Sequence, residues 1–435
     1  MIHDIRTRAS ALEAQLIADR RDFHKHAESG WTEFRTASRV ARRLSDLGYA
    51  VAVGREVLRE AARMGVPSPE VLEAHRLRAL VQGGDPDFVE LMRGGLTGVL
   101  GILDCGAGPT VALRFDMDAL DLTESQDASH RPAREGFASI NAGAMHACGH
   151  DGHTAVGLGI AQLLADLKPQ LHGKVRLIFQ PAEEGVRGAR AMVESGVVDG
   201  VDFLLGHHLY NGRALGEIVS GLGGYLATTK FDAYLTGEAA HAGANPQAGR
   251  NALLAAATAA LNLHALPRHR QGATRINVGR LEAGSGRNVI PASAHLVIET
   301  RGANTELNEA MYNAAVQVLE AAAAMYGCEL KIVAMGAAQS AESSDALAAR
   351  VERIAQALGG IRLAERGGSG GSEDFTTMMR RVQAHGGQAT NIAVGAGGIG
   401  GAHHAATFDF DERALTTAVT LLGAVVADVM TNRES

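Results

Sequence analysis

Nine residues, Met145-His146-Ala147-Cys148-Gly149-His150-Asp151-Gly152-His153, carry one thiol, three imidazoles and one carboxylate. The glycines among them let the backbone bend tightly. A cysteine two residues before a histidine can bring a thiolate and an imidazole to one cation. Three more groups of ligand-type side chains follow, Glu183-Glu184, His207-His208 and His403-His404. An ion takes about four donors, and two ions side by side share one or two of them. The set points to a two-metal hydrolase with Cys148 and His150 as ligands. His153 heads the following helix and reads as a helix cap or a prop behind the ligands, and Asp151 as a carboxylate partner for His150 or His153.

Glu183 and Glu184 are neighbours, so in a turn both can line one cleft, whereas in a strand they would diverge. One would bind metal; the other would take a proton from the attacking water and pass it to the leaving nitrogen. Within each histidine pair only one member easily faces a metal, and the other belongs to core or surface. Asp116 and Asp118 share one face of an extended segment, where they can polarise a ligand; plain surface acids are the bland alternative. His241, Asn288 and Arg301 stand in or beside glycine-containing turns. They form a donor set suited to an oxyanion and a carboxylate, although each alone is an ordinary turn or strand-end residue.

These groups must be positioned by regular elements. Short apolar runs at 110–115, 175–179, 201–205 and 391–394 read as buried strands, each leading into a ligand cluster. An apolar helix over 154–167 follows the cysteine loop. The alternation predicts an α/β domain with a mostly parallel sheet, whose ligands gather outside the carboxyl ends of the strands. Residues 4–47 read as helical with a break at Gly30-Trp31. Residues 55–95 read as a charged helical insertion, mainly solvated, or else a cap over the site or a partner surface. Residues 220–335 change rhythm to β-α-β-β-α-β, the ferredoxin-like order. The predicted organisation is a first domain at 1–219 and 336–435 with a second inserted at 220–335.

At 435 residues the chain exceeds the usual single-core limit. With 46% hydrophobic and 20% charged residues it has the composition of an ordinary globular protein. A net charge of −7 without a basic stripe argues against nucleic acid or an anionic membrane as partner. Cys105, Cys148 and Cys328 are too few and too scattered for a disulfide framework, which fits a reducing cytoplasm. The first residues carry charges where a signal peptide needs an apolar run. No apolar stretch of about 18 residues, and so no membrane span, is expected.

Taken together, MHACGHDGH, QPAEEG, HAGANPQAGRNA, GSGRNVIP, GSEDF and the final His403-His404 resemble the M20 family of metallopeptidases and aminoacylase-like amidohydrolases. The branch with a cysteine in the metal loop fits best. The resemblance runs from Arg20-Arg21-Asp22-Phe23-His24 through Glu412; Ala406 stands where the branch usually has proline. It implies a zinc-peptidase-like catalytic domain with an inserted ferredoxin-like lid and dimerisation domain. It maps metal ligands onto Cys148, His150, Glu184, His208 and His404, and the catalytic base onto Glu183. His241 falls on a histidine that reaches a partner subunit's site and steadies the oxyanion. Asn288 and Arg301 fall on groups that grip the substrate carboxylate, Asp118 on a carboxylate behind the ligands, and Asp116 where other branches have a ligand histidine. The cofactor implied is a pair of divalent ions, manganese before zinc, although thiolate softness favours zinc. The substrate implied is a small N-acyl amino acid with an aromatic acyl group, glutamate foremost. Alternatives are an aminoacylase, a hippurate or indole-acetyl-amino-acid hydrolase, or a non-catalytic subunit. A homodimer or a heteromer with a related subunit is expected.

Overall fold

A computed structural model describes residues 2–368 and 371–431. Its strands are, in chain order, β1 (Ala50–Val53), β2 (Val99–Asp104), β3 (Thr110–Asp116), β4 (Lys174–Gln180), β5 (Phe203–Tyr210) and β6 (Glu217–Val219). There follow β7 (Ala227–Thr236), β8 (Thr274–Ala283), β9 (Ser293–Gly302), β10 (Glu329–Ala338), β11 (Arg362–Leu363) and β12 (Gln388–Gly395). The chain divides into two compact units. One comprises Met1–Gly223, Glu342–Ser369 and Asp374–Ser435; the other comprises Gly224–Ala341 and Gly370–Glu373.

The first unit is built on a sheet of order β1-β2-β4-β3-β5-β12-β6-β11. Its centre, β4-β3-β5-β12, is parallel, while β1, β2 and β6 join antiparallel. The mostly parallel α/β architecture read from the alternating runs is therefore present, with antiparallel flanks added. Those flanks were not legible: β2 carries Gly101 at its middle, where a Cβ would lie 2.9 Å from the end of the Leu44 side chain. Consecutive residues of β3 meet different helices, since side chains alternate across a strand. Phe115 lies under the helix His150–Leu167, where Gly157 allows the approach, and the Arg114 guanidinium lies over Phe375 of the helix Phe375–Ala384. Helices thus cover both faces, as a buried parallel sheet requires.

The helix Arg413–Thr431 corrects one expectation. By length and composition it is apolar enough to cross a membrane, but most of it is buried against the core. Residues such as Leu421, Leu422, Val425 and Val426 are fully covered. The insertion at 55–95 is helical at Pro69–Val81 and Pro86–Leu91, each begun by proline behind a capping Ser68 or Asp85. It is less solvated than expected, because Leu72, Ala79, Val89 and Met92 are buried.

The second unit follows β7, helix Ala252–Ala265, β8, β9, helix Thr305–Met325, β10, with an antiparallel sheet of order β10-β7-β9-β8. Asn251 and Asn304 cap the two helices by accepting from Leu254 and Leu307 N–H groups. Ala255, Ala256, Ala259, Ala315, Leu319, Phe231, Leu296 and Ile298 form its core.

Candidate metal centre

The parallel strands bring the ligand clusters to one end of the sheet. Gly149, at φ +97°, turns the chain from the cysteine loop into the helix His150–Leu167, which starts four residues earlier than the sequence suggests. Met145 and Leu120 exchange backbone hydrogen bonds and tie that loop to the segment after β3. His150 Nδ1 donates to the Asp118 carbonyl at 2.8 Å, so its Nε2 is the free ring atom. His207 and His208 lie within β5, not after it, and point to opposite faces. His207 packs edge-on to Phe115, whereas His208 Nε2 lies 3.4 Å from Cys148 Sγ. The second pair divides similarly. His404, at φ +65°, donates its N–H to the Ala147 carbonyl and sets Nε2 3.6 Å from Glu184 Oε1. His403 turns its ring onto Phe408.

Glu183 and Glu184 occupy the turn that the clustering requires. Ala182 and Val186 are left-handed without being glycine, at φ +52° and +59°. Such residues cost about 1 kcal/mol or more each and persist only when the surroundings enforce them. Asp118 accepts from the N–H groups of both Glu183 and Glu184 at 2.9 Å.

The ligand atoms of Cys148, His150 and His208 lie within 4.8 Å of one another, and so do those of Cys148, Glu184 and His404. A third group, His150, Glu183 and Glu184, overlaps both. Among the described residues, His150 Nε2 and Glu184 Oε1 are buried with no hydrogen-bond partner, a condition that costs about 1–3 kcal/mol per group in an ordinary interior. Burial, with Glu184 nearby, pushes the Cys148 thiol far up. Burial, with His153 and His403 alongside, keeps His208 neutral well below its ordinary value. Burial also raises Glu184, with Asp118 adding to it. A divalent cation reverses the thiol and carboxyl costs and uses the neutral imidazole directly. The donor set fits divalent metal ions.

The supporting groups differ in part from expectation. His153 has both ring nitrogens engaged in the supporting position expected of it: its Nδ1 lies 2.5 Å from Asp116 and its Nε2 accepts from Leu209 N–H at 2.9 Å. Asp116 is buried and also bonded to Arg114. Asp151 does not hold His150 or His153. It binds Arg20 Nε and His24 Nδ1, both at 2.8 Å. Arg20, wholly buried, also reaches Asp409 at 2.8 Å and Glu412 at 3.2 Å. Residue types and spacing alone do not reveal this charged knot; its one sequence signal is the Arg20–His24 stretch at the start of the resemblance.

In the second unit His241 and Asn288 sit on neighbouring exposed turns joined by an Ala242 N–H to Asn288 carbonyl bond. His241 Nδ1 accepts from the N–H groups of Gly243 and Ala244, which puts the neutral imidazole's proton on Nε2. Arg301 binds Glu299 and pairs across the sheet with Arg275. Both arginines line a hollow of about 310 Å³ with Arg268, Asn277 and Glu299.

Comparison with known proteins adds to this geometry. Residues 112–428 match the sequence pattern of peptidase family M20/M25/M40. Over 95% of its length the chain is 52% identical to a p-aminobenzoyl-glutamate hydrolase subunit of Escherichia coli (strain K12), 95% of which is covered. It is 50% identical to the indole-3-acetyl-aspartic acid hydrolase of Enterobacter agglomerans, covering 93% of each chain. The crystal structure of an aminobenzoyl-glutamate utilization protein from Klebsiella pneumoniae aligns with a TM-score of 0.85 and 42% identity, covering 99% of this chain and 100% of that one.

Proposed function

From the premise that this chain belongs to peptidase family M20/M25/M40 and is a metal-dependent amide hydrolase, we propose that it cleaves N-acyl amino acids, p-aminobenzoyl-glutamate first among them, to an aromatic acid and the free amino acid. The observation that carries the reading is the pair of three-donor groups meeting at Cys148. Cys148, His150, Glu184, His208 and His404 would hold two divalent ions, manganese before zinc. Such ions supply Lewis acidity and make water nucleophilic near neutral pH.

The chain's own groups do the rest. Glu183 takes the proton from the attacking water and returns it to the amide nitrogen as the C–N bond breaks. Asp118 holds the turn that aims Glu183 and Glu184. His241 donates Nε2–H to the developing oxyanion, acting in a partner subunit's site. Asn288 and Arg301 hold the amino-acid carboxylate and fix the position of the scissile bond. The inserted unit then serves as lid and dimerisation domain, in a homodimer or a heteromer with a related subunit, within the cytoplasm.

The test joins metal analysis to a substrate panel. Purified chain stripped with EDTA should lose all turnover and regain it with manganese. Two ions per chain and a preference for p-aminobenzoyl-glutamate over hippurate and N-acetyl amino acids are expected; full activity in verified metal-free protein would reject the scheme. The 50% identity to an indole-3-acetyl-aspartate hydrolase supports a second reading, which predicts that indole-acetyl-aspartate leads the panel. A non-catalytic subunit is disfavoured because every group the chemistry needs is present, and turnover by the chain alone decides it.

A further inference from the structure

The turn that carries Glu183 and Glu184 has a second anchor, 149 residues away in the chain. Glu33 is fully buried at the start of the helix Phe34–Asp46. Its Oε1 accepts from Ala182 N–H at 2.8 Å, and its Oε2 accepts from the Thr97 hydroxyl at 2.7 Å. Asp118 takes the next two N–H groups, those of Glu183 and Glu184. Two buried carboxylates therefore clasp three successive backbone donors. Ala182, whose N–H Glu33 holds, is the left-handed residue where the chain leaves β4.

The anchor is itself built in. Ala119 N–H donates to the Glu28 carbonyl, and Ser29 bridges Ala119 in parallel fashion. The stretch bearing Glu33 thus lies alongside the stretch bearing Asp118. Placing two carboxylates here is costly. Burial, with Asp118 adding to it, pushes Glu33 up to about 8. Capping the following helix does not require such a group, because Glu28 already accepts from Arg35 and Thr36 N–H groups there. Besides its bond to the Thr97 hydroxyl, what the Glu33 side chain supplies is the hold on Ala182. Without it the Ala182 N–H is buried and unpaired, and the left-handed turn loses the bond that enforces it.

We propose that Glu33 is a positioning residue for the reaction: through the Ala182 N–H it fixes the left-handed turn that keeps Glu183 and Glu184 aimed at the same centre. Displacing a catalytic group by about 1 Å can cost about 10²-fold in rate, so a modest relaxation of this turn is enough to matter. The inference rests on the reading of Glu183 as base and Glu184 as ligand given above.

The experiment compares Glu33→Ala, Glu33→Gln, Glu28→Ala and Glu183→Gln in the manganese-loaded enzyme, measuring kcat, KM, metal content and thermal midpoint. Glu183→Gln should lower kcat by about 10²–10⁴-fold with both ions retained; near-normal turnover there overturns the base assignment itself, whatever Glu33 does. Glu33→Ala should lower kcat by about 10²-fold with KM little changed. Glu33→Gln keeps a carbonyl for Ala182 N–H and should restore kcat to within about threefold. Glu28→Ala should lower the thermal midpoint while kcat stays near wild type, because that side chain bonds the Arg35 and Thr36 N–H groups and not the Ala182 turn. Where Glu33→Ala fails to fold, Glu33→Asp, which withdraws the acceptor by one methylene, should show the same kcat-selective loss at about tenfold. A folded Glu33→Ala or Glu33→Asp with kcat within threefold of wild type overturns the proposal. So does a Glu33→Gln as impaired as Glu33→Ala, since the hydrogen bond would then not be what matters.

Discussion

The two units hold their functional side chains in opposite ways. In the first, His150 and Asp118 are buried and His208 is half-buried, and behind them stand Arg20, Arg114, His153, Asp116 and Asp151, each bonded to a named partner. In the second, His241 and Asn288 stand exposed on turns whose bonds are mainly to their own backbone neighbours. The contrast separates two tasks. A metal pair needs donors fixed before it arrives, because each misplaced ligand costs affinity. A group that meets substrate, or serves a partner subunit, must remain reachable. Rigidity is concentrated where charge is to be bound, and exposure where a second molecule is to be met.

The comparison is broken most severely at Cys148, the donor common to both triads. Cys148→Ala should bind less than one ion per chain and show no measurable turnover, with metal analysis and amide cleavage as readouts. The second unit's hydrogen-exchange protection should be unchanged, since its core of Phe231, Leu296 and Leu319 is self-contained. Retention of two ions would mean that Cys148 is a bystander.

Next in size is Arg20→Met. It leaves Asp151, Asp409 and Glu412 without their shared cation, and breaking a buried ion pair from one side costs about 3–5 kcal/mol. Denaturant unfolding should show that loss in the transition of the first unit alone. His241→Ala reverses the pattern. Removing one oxyanion donor should lower kcat by about 10²–10³-fold, while the thermal midpoint, set by buried groups, does not move. Mixing His241→Ala with Glu183→Gln protein after dissociation should recover turnover if His241 acts across subunits; a mixture as dead as its parts would place His241 in its own chain's site.

Much of this was legible in the chain, for local reasons. Cys148-Gly149-His150 sits at a glycine-enforced helix start, so the ligand spacing and the break in structure coincide. The β-α-β-β-α-β unit was legible as a change of rhythm, and the helices it requires are in fact capped by Asn251 and Asn304. The choice between His207 and His208 needed the strand to extend through them, whereas an apolar run ending at Leu205 suggested otherwise. The partner of Asp151 was not legible, because proximity in sequence favoured His150 and His153 while the fold delivered Arg20 from 131 residues away. Glu33 gave no signal of its own: an acid before a helix is a common capping residue, and only the tertiary approach of Ala182 gives it another task.

The smallest effect expected is a difference in acid sensitivity. Burial alone would raise Asp151, Asp409 and Glu412, but Arg20 and His24 together outweigh it in Asp151, Arg20 and Arg131 in Asp409, and Arg21, Arg20 and Arg131 in Glu412, leaving all three below the ordinary carboxyl range. A carboxylate depressed on folding contributes stability that is fully present above its unfolded value, here 3.8 for Asp and 4.5 for Glu. That contribution begins to fall as pH drops to the unfolded value and is gone once pH has passed through the folded value. The second unit's ion pairs, Arg301–Glu299 and His295–Asp232, are partly exposed, and such pairs contribute about 0–1 kcal/mol. Between about pH 5 and 3, metal-free protein should therefore lose hydrogen-exchange protection in the helix His150–Leu167 before it does in β7 and β9. Simultaneous loss in both would show that the buried knot around Arg20 is not what makes the first unit the more charge-dependent of the two.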